Sequence, residues 1–180
     1  SREFAHTRRK NLLLRDLDEL VNQQLAKMLF ANPQRIDYYD RYQEIIDAYN
    51  AEQNRATIEK TFMDLMELAS SLDTEQQRYV REGFSSDEEL SVYDLLFSEN
   101  LTKQEIETIK KVSVDLLTKI KQQIAKLDHW TDKQETKAIV DNLIRNTLWQ
   151  ELPNSYDVSD IQTYQKKIYE YVYMRYPEVA

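Results

Sequence analysis

Cysteine is absent from this sequence of 180 residues, and breakers are scarce, with one Gly and three Pro. The absence of cysteine excludes disulfides, thiolate zinc sites and cysteine nucleophiles. The scarcity of glycine argues against β-hairpins, because no Asn-Gly, Asp-Gly or Gly-Gly turn pair occurs. No apolar run approaches the roughly 20 residues of a membrane span, and residues 1–10 lack the apolar segment of a signal peptide.

The single glycine, Gly83, also limits the catalytic motifs that the chain can hold. A Walker A loop and a dinucleotide fingerprint each need several glycines, so both are excluded. The two histidines, His6 and His129, stand outside any nucleophile-elbow context. A lone Glu-x-x-His at Glu3 and His6 falls short of the ligands that a carboxylate-bridged di-metal site requires. We therefore predict no catalytic, cofactor-binding or metal-binding residues.

What the sequence does contain is apolar residues at steps of three and four along most of its length, the spacing of amphipathic helices. Asn32-Pro33 and Asn54 are typical of helix starts, and Gly83 is typical of a C-terminal helix cap. Further starts are predicted where Ser, Thr or Asp is followed three residues later by Glu or Gln, at Asp73, Ser86, Thr102, Thr131 and Ser159. The fold class is therefore predicted to be all-α, a bundle of about six to eight helices with no sheet.

The apolar periodicity lapses near Ala51 to Arg55, which predicts a domain boundary there. We expect residues 1–52 to be the last two helices of a preceding domain and residues 53–180 to be a C-terminal helical module. The sequence begins with Ser1 rather than Met, so we expect it to be part of a longer protein. A net charge of −8 and the lack of a targeting segment agree with a soluble protein of the cytoplasm and no membrane partner.

Lysines gather between residues 102 and 137, where eight lysines and six acids give a local balance of +2. Four of them are candidate duplex DNA contacts, in a stripe of the kind that binds phosphates: Lys110, Lys111, Lys119 and Lys126. The alternative is an ordinary solvated helix surface, which carries the same pattern of charge.

Tyrosine is concentrated at the end of the chain, where six of the twelve tyrosines lie. Tyr169, Tyr173 and Tyr176 recur at helical spacing and are candidate partner-binding residues, since tyrosine is favoured at protein interfaces. The alternative is a terminal helix buried between others. Trp130 precedes a predicted helix start, and packing beneath the loop is favoured over stacking on a nucleobase.

The stretch from Gly83 to Leu96, GFSSDEELSVYDLL, resembles a segment near the C-terminus of the R (HsdR) subunits of type I restriction enzymes. Residues 116–148 resemble the run that follows in that family, with Trp130, Thr131 and Lys133 in place. Met28 to Asn50 is similar to the helical domain that precedes it. The likeness extends from about Leu25 to Leu148.

The resemblance implies a function as well as a fold. Such subunits carry a nuclease domain and ATP- and Mg-dependent motor domains that translocate duplex DNA, followed by a helical C-terminal module. That module is implicated in docking the motor onto the methyltransferase core of modification and specificity subunits. We therefore expect this chain to be a non-catalytic assembly module, without cofactors of its own, from an ATP-dependent type I site-specific deoxyribonuclease. The alternative is a helical module that contacts duplex DNA.

Overall fold

A computed structural model of the chain describes residues 2–179, apart from the side chains of residues 3, 4, 5 and 7. Within this range the chain forms eight α-helices, two short 3-10 turns and no strand, so the predicted all-α fold of about six to eight helices is confirmed. None of these helices has the length and apolar content that crossing a membrane requires. The helices are α1 (Arg2–Ala31), α2 (Ile36–Ala51), α3 (Arg55–Gln76), α4 (Arg78–Arg81), α5 (Asp87–Leu96), α6 (Lys103–Ala125), α7 (Gln134–Glu151) and α8 (Val158–Arg175).

The helices pack into two compact units, Ser1–Arg81 and Glu82–Ala180. This division in the packing falls later than the predicted boundary between 1–52 and 53–180, because α3 packs against both α1 and α2. The lapse in apolar periodicity near Ala51 corresponds instead to the turn between α2 and α3, where residues 51–56 are exposed.

The first unit is a three-helix bundle. Its helices α1 and α3 run parallel in register, since Lys10 bonds to Glu59 and Gln24 bonds to Asp73. Helix α2 runs antiparallel to both, because the short turn at Asn32-Pro33 reverses the direction of the chain after α1. The core of the bundle consists of apolar side chains from all three helices, among them Val21, Leu25, Ile45, Leu65, Leu68 and Leu72.

A buried ion cluster closes one end of this bundle. Glu75 is 6% exposed and accepts hydrogen bonds from Arg35 Nε at 3.1 Å and from Arg78 Nη2 at 2.9 Å. Tyr38 adds a longer contact of 3.4 Å to the same carboxylate. Burial alone works to raise the pKa of Glu75, but the hydrogen bonds and charges of Arg78 and Arg35 outweigh it and lower the pKa below its ordinary value of 4.5.

The second unit is built from α5, α6, α7 and α8. Each of these helices packs against its neighbour in the chain, and α5 also packs against α8, so that the four helices enclose one core. The side chains at its centre are fully buried, including Leu90, Leu96, Ile109, Leu116, Ile120, Trp130 and Ile144. Tyr156, which precedes α8, is bonded to the end of α5, because its hydroxyl donates to the carbonyl of Leu96 at 2.5 Å.

Several predicted helix caps are confirmed. The side chains of Asn32 and Asn54 accept hydrogen bonds from the first backbone N–H groups of the elements that they open. Thr102 forms a full capping box with Glu105. Gly83 follows α4 with φ of +85°, the left-handed conformation that glycine adopts at least cost.

The predicted helix restart at Thr74 is wrong. Helix α3 continues without a break to Gln76, because Leu72 and Glu75 lie on its buried face. Asp73, which was expected to cap a new helix, accepts a hydrogen bond from Gln24 instead.

The predicted starts at Thr131 and Ser159 are also displaced. Thr131 lies inside the 3-10 turn Trp130–Asp132, and α7 begins only at Gln134. Helix α8 begins at Val158, because Asp157 and Asp160 form a capping box upstream of the predicted one. At α8 the Asp157–Asp160 pair satisfies the first N–H groups of the helix, whereas the N-cap of α7, Lys133, makes no side-chain capping bond.

Candidate functional site

The tryptophan at position 130 is the centre of the surface that carries the candidate tyrosines. His129 takes the left-handed conformation with φ of 46°, which turns the chain so that the Trp130 side chain enters the core and is 0% exposed. The Thr136 hydroxyl donates to the carbonyl of Trp130 at 2.6 Å and ties this turn to α7. The preference for packing over nucleobase stacking is therefore confirmed.

Two of the candidate tyrosines lie directly over this indole. The ring centroids of Tyr169 and Tyr173 are 6.1 Å and 5.8 Å from that of Trp130, both in edge-on geometry. Tyr173 remains 39% exposed, whereas Tyr169 is half-buried. Burial raises the pKa of Tyr169, with smaller contributions from the nearby charge of Asp141 and from Tyr173.

The third candidate, Tyr176, points elsewhere. It follows the end of α8, and its hydroxyl donates to Glu88 Oε2 at 2.7 Å. Its carbonyl accepts from Trp130 Nε1 at 2.7 Å, so both of these polar groups bond within the second unit. The three tyrosines consequently do not form one exposed face, because the helix ends at Arg175 before the spacing reaches Tyr176.

Lys121 lies next to both Glu88 and the ring of Tyr176. Its ammonium lies 2.5 Å from Glu88 Oε2 and 5.5 Å from the centroid of the Tyr176 ring. Burial raises the pKa of Tyr176, and the hydrogen bond to Glu88 raises it further. Burial also works to raise the pKa of Glu88, but the bonds to Lys121 and Tyr176 lower it overall. The ion pair therefore holds the end of the described chain against α5 and α6.

The four candidate DNA-contacting lysines differ in their surroundings. Lys110 pairs with Glu82 at 3.1 Å and is partly buried. Lys119 pairs with Asp115 at 2.9 Å and with Glu151 at 3.2 Å. Lys111 and Lys126 are exposed, and within residues 2–179 no ion pair involves either of them. The stripe therefore offers two uncompensated cations, about 22 Å apart along the helix axis.

Sequence reasoning did not identify the contact between Glu88 and Tyr176. In the sequence Glu88 is a carboxylate in the first turn of α5, where acids complement the helix dipole. Nothing in the local pattern indicates that a side chain 88 residues later reaches it. The potential metal ligand Glu3 lies outside the described side chains, and the described residues contain no cluster of three or more His, Asp or Glu side chains suited to a metal ion.

The fold and this surface define the chain as an all-helical module with an aromatic surface built around one buried tryptophan. A family model described as type I restriction enzyme HindI endonuclease subunit-like, C-terminal, matches residues 1–176. The chain belongs to this family, which confirms the predicted relationship to the C-terminal part of type I restriction R subunits. Searches of curated proteins and of solved structures found no match.

Proposed function

We propose that this chain is a non-catalytic assembly module, which docks the endonuclease subunit onto the modification and specificity subunits of the methyltransferase core. Its family supports a place in a type I restriction enzyme. The observation that carries the proposal is the aromatic surface of Tyr169 and Tyr173, whose rings pack edge-on against the buried indole of Trp130. Aromatic side chains held in place before binding lose little conformational entropy on association, so they are suited to be interface hot spots.

Tyr173 is the residue through which this proposal is best tested. Tyr169 and Tyr176 are engaged within the unit, and their removal would also disturb its packing. Tyr173→Ala removes an exposed ring, and Tyr39→Ala is the matched control, because the two side chains are 39% and 38% exposed on different units.

The measurement is sedimentation of the full-length endonuclease subunit with the modification and specificity subunits. We expect Tyr173→Ala to weaken assembly by about tenfold or more, a loss of roughly 1.4 kcal/mol or more. We expect Tyr39→Ala to assemble like the parent. Equal assembly by both variants, each shown to be folded by circular dichroism, would contradict docking through this surface.

Duplex DNA contact is the second function that the lysines suggest. Acids neutralise Lys110 and Lys119, which favours docking over DNA binding, whereas Lys111 and Lys126 keep their charge exposed. The double variant Lys111→Glu, Lys126→Glu should leave assembly unchanged. If it abolishes a salt-dependent affinity for non-specific duplex, the chain contacts DNA through this stripe.

A further inference from the structure

An apolar groove runs between α1 and α3 on the surface of the first unit. Four large side chains along it are strongly exposed: Leu13 at 52%, Leu20 at 64%, Met63 at 66% and Met66 at 49%. Leu17 and Phe62 lie between them and pack partly against the core. Contiguous exposed apolar side chains on a folded protein are typical of an interaction surface.

The register of the two helices makes this groove continuous. The bonds Lys10–Glu59 and Gln24–Asp73 join α1 and α3 at the same separation in sequence, 49 residues, near the two ends of the groove. Leu13 is therefore level with Phe62, and Leu17 is level with Met66. A cavity of about 340 Å³ opens between Leu13, Ile58, Phe62 and Met63, with Lys10 and Glu59 at its rim. It is large enough to admit an apolar side chain.

The charged residues at the two ends of α3 oppose the dipole of that helix. Arg55 is the first residue of α3, and no acid lies in that first turn. Asp73 lies in the last turn of α3, which contains no basic residue. A cation at a helix N-terminus and an anion near a C-terminus each oppose the macrodipole of α3. Arg55 pairs with Glu59 one turn later, and Asp73 accepts a hydrogen bond from Gln24 of α1.

The N-terminal end of the groove has an excess of positive charge. Lys10 and Arg55 share one carboxylate, that of Glu59, at 2.7 Å and 3.4 Å. Arg9, one turn before Leu13 and on the same side of α1, is also exposed. This end is complementary to a negative partner, and the other end of the groove has Asp73 beside it.

We propose that this groove is a docking site for an amphipathic α-helix of another protein chain, which lies antiparallel to α1 and α3 and carries acidic residues in its last turn. In that direction the C-terminus of the incoming helix, with its partial negative charge, meets Arg9, Lys10 and Arg55. Its N-terminus meets Asp73. The added helix would complete an up-down-up-down arrangement with α1, α2 and α3, and its apolar stripe would cover Leu20 and Met63. This inference concerns a different surface from the terminal tyrosines and does not depend on the docking function proposed for them.

The test uses two synthetic amphipathic peptides of about 18 residues, long enough to span about 27 Å as helices. Both carry the same leucine stripe; one has two Glu in its last turn and its twin has two Lys there. Binding to the full chain is measured by titration calorimetry, and methyl NMR spectra of Met63, Met66 and Leu20 locate the site. The variants are Met63→Glu and Leu20→Glu, and the control is Ile36→Glu, an isoleucine that is 48% exposed at the start of α2.

We expect the Glu peptide to bind, to shift the methyl signals of the groove, and to bind about tenfold more tightly than its Lys twin. Met63→Glu and Leu20→Glu should each weaken binding by about tenfold or more, because a carboxylate would enter the apolar contact. Ile36→Glu should bind like the parent. Circular dichroism checks that each variant is folded. Two groove positions are substituted so that the test remains possible if one of the variants does not fold.

Five outcomes would overturn the proposal, and the first four concern the peptides and the chain itself. They are binding of neither peptide, equal binding of both, binding that the groove variants do not weaken, and self-association of the chain that Met63→Glu abolishes. The last would mean that a second copy occupies the groove. Displacement of the Glu peptide by short duplex DNA, with no shift of the methyl signals by the peptide, would also overturn it and assign the basic end to nucleic acid.

Discussion

The two units of this chain are both helical bundles, but they bury polar groups in different ways. The first unit encloses charge, since Arg35 and Glu75 are 3% and 6% exposed and bond to each other. The second unit encloses the neutral indole of Trp130, whose N–H bonds to a backbone carbonyl. The comparison teaches that the core of a helical bundle can enclose either an ion pair or a neutral polar ring, provided that each polar group is bonded, and variants in each unit can test this.

The largest effect is expected from Trp130→Ala. The substitution leaves a cavity beneath Tyr169 and Tyr173 and should lower the free energy of unfolding by about 4 kcal/mol. Urea unfolding followed by circular dichroism measures the loss, and hydrogen exchange should locate it within residues 82–179. Trp149→Ala is the control, since that side chain is 45% exposed and should cost far less. Equal losses of stability in the two variants would contradict the view that the buried indole of Trp130 stabilises the second unit.

The next effect is expected from Glu75→Gln. The substitution leaves the buried Arg35 without its counter-charge and should cost about 3 kcal/mol at neutral pH. Hydrogen exchange should locate this loss within residues 2–81. If the loss fell in the second unit instead, the buried ions would not be what stabilises the first.

The stability that Glu75 contributes to the first unit should depend on pH. Because its pKa is lower in the folded state than its ordinary value of 4.5, the stability that it contributes is present above that value. This contribution is lost as the pH falls through the lower, folded pKa. We expect residues 2–81 to lose protection from hydrogen exchange as the pH falls through this range, and Glu75→Gln to flatten that dependence.

A smaller effect is expected from Gly83→Ala. The φ of +85° strains any residue with a Cβ, although no atom lies within 4 Å of that position. The loss should be about 1.5 kcal/mol. Gly83→Asn is the control, because asparagine tolerates the left-handed conformation better. If alanine and asparagine cost the same in urea unfolding, backbone strain is not the cause.

The smallest effect is expected from Tyr176→Phe. It removes the hydroxyl that bonds to Glu88 but keeps the ring near Lys121, so the loss should be about 1 kcal/mol. Hydrogen exchange in the last turn of α8 should rise more than elsewhere. Unchanged exchange there would mean that the Trp130 bond alone holds this segment.

The fold class and most helix starts could be predicted from the sequence because they depend on local chemistry. Apolar spacing, the caps at Asn32, Asn54 and Thr102, and the turn at Gly83 all act within a few residues. The false start at Thr74 shows the limit of this reasoning. A capping pattern is outweighed when the next turn buries side chains in a core formed by distant helices.

The candidate site could be predicted only in part, for the same reason. The burial of Trp130 follows from its place before a predicted helix start, and the tyrosines are singled out by their clustering at the end of the chain. The separation of Tyr176 from Tyr169 and Tyr173 depends on where α8 ends and on Glu88. The neutralisation of Lys119 likewise depends on Glu151, which lies on another helix.

The placement of the two tryptophans gives the chain a built-in optical reporter. Both Trp130 and Trp149 lie in the second unit, one fully buried and the other 45% exposed. The intrinsic indole emission therefore reports on residues 82–180 alone, and iodide should quench the red-shifted Trp149 component while sparing Trp130. A denaturation curve from this emission, superimposed on one from total ellipticity, would reveal in a single unlabelled sample whether the two bundles melt together or in turn.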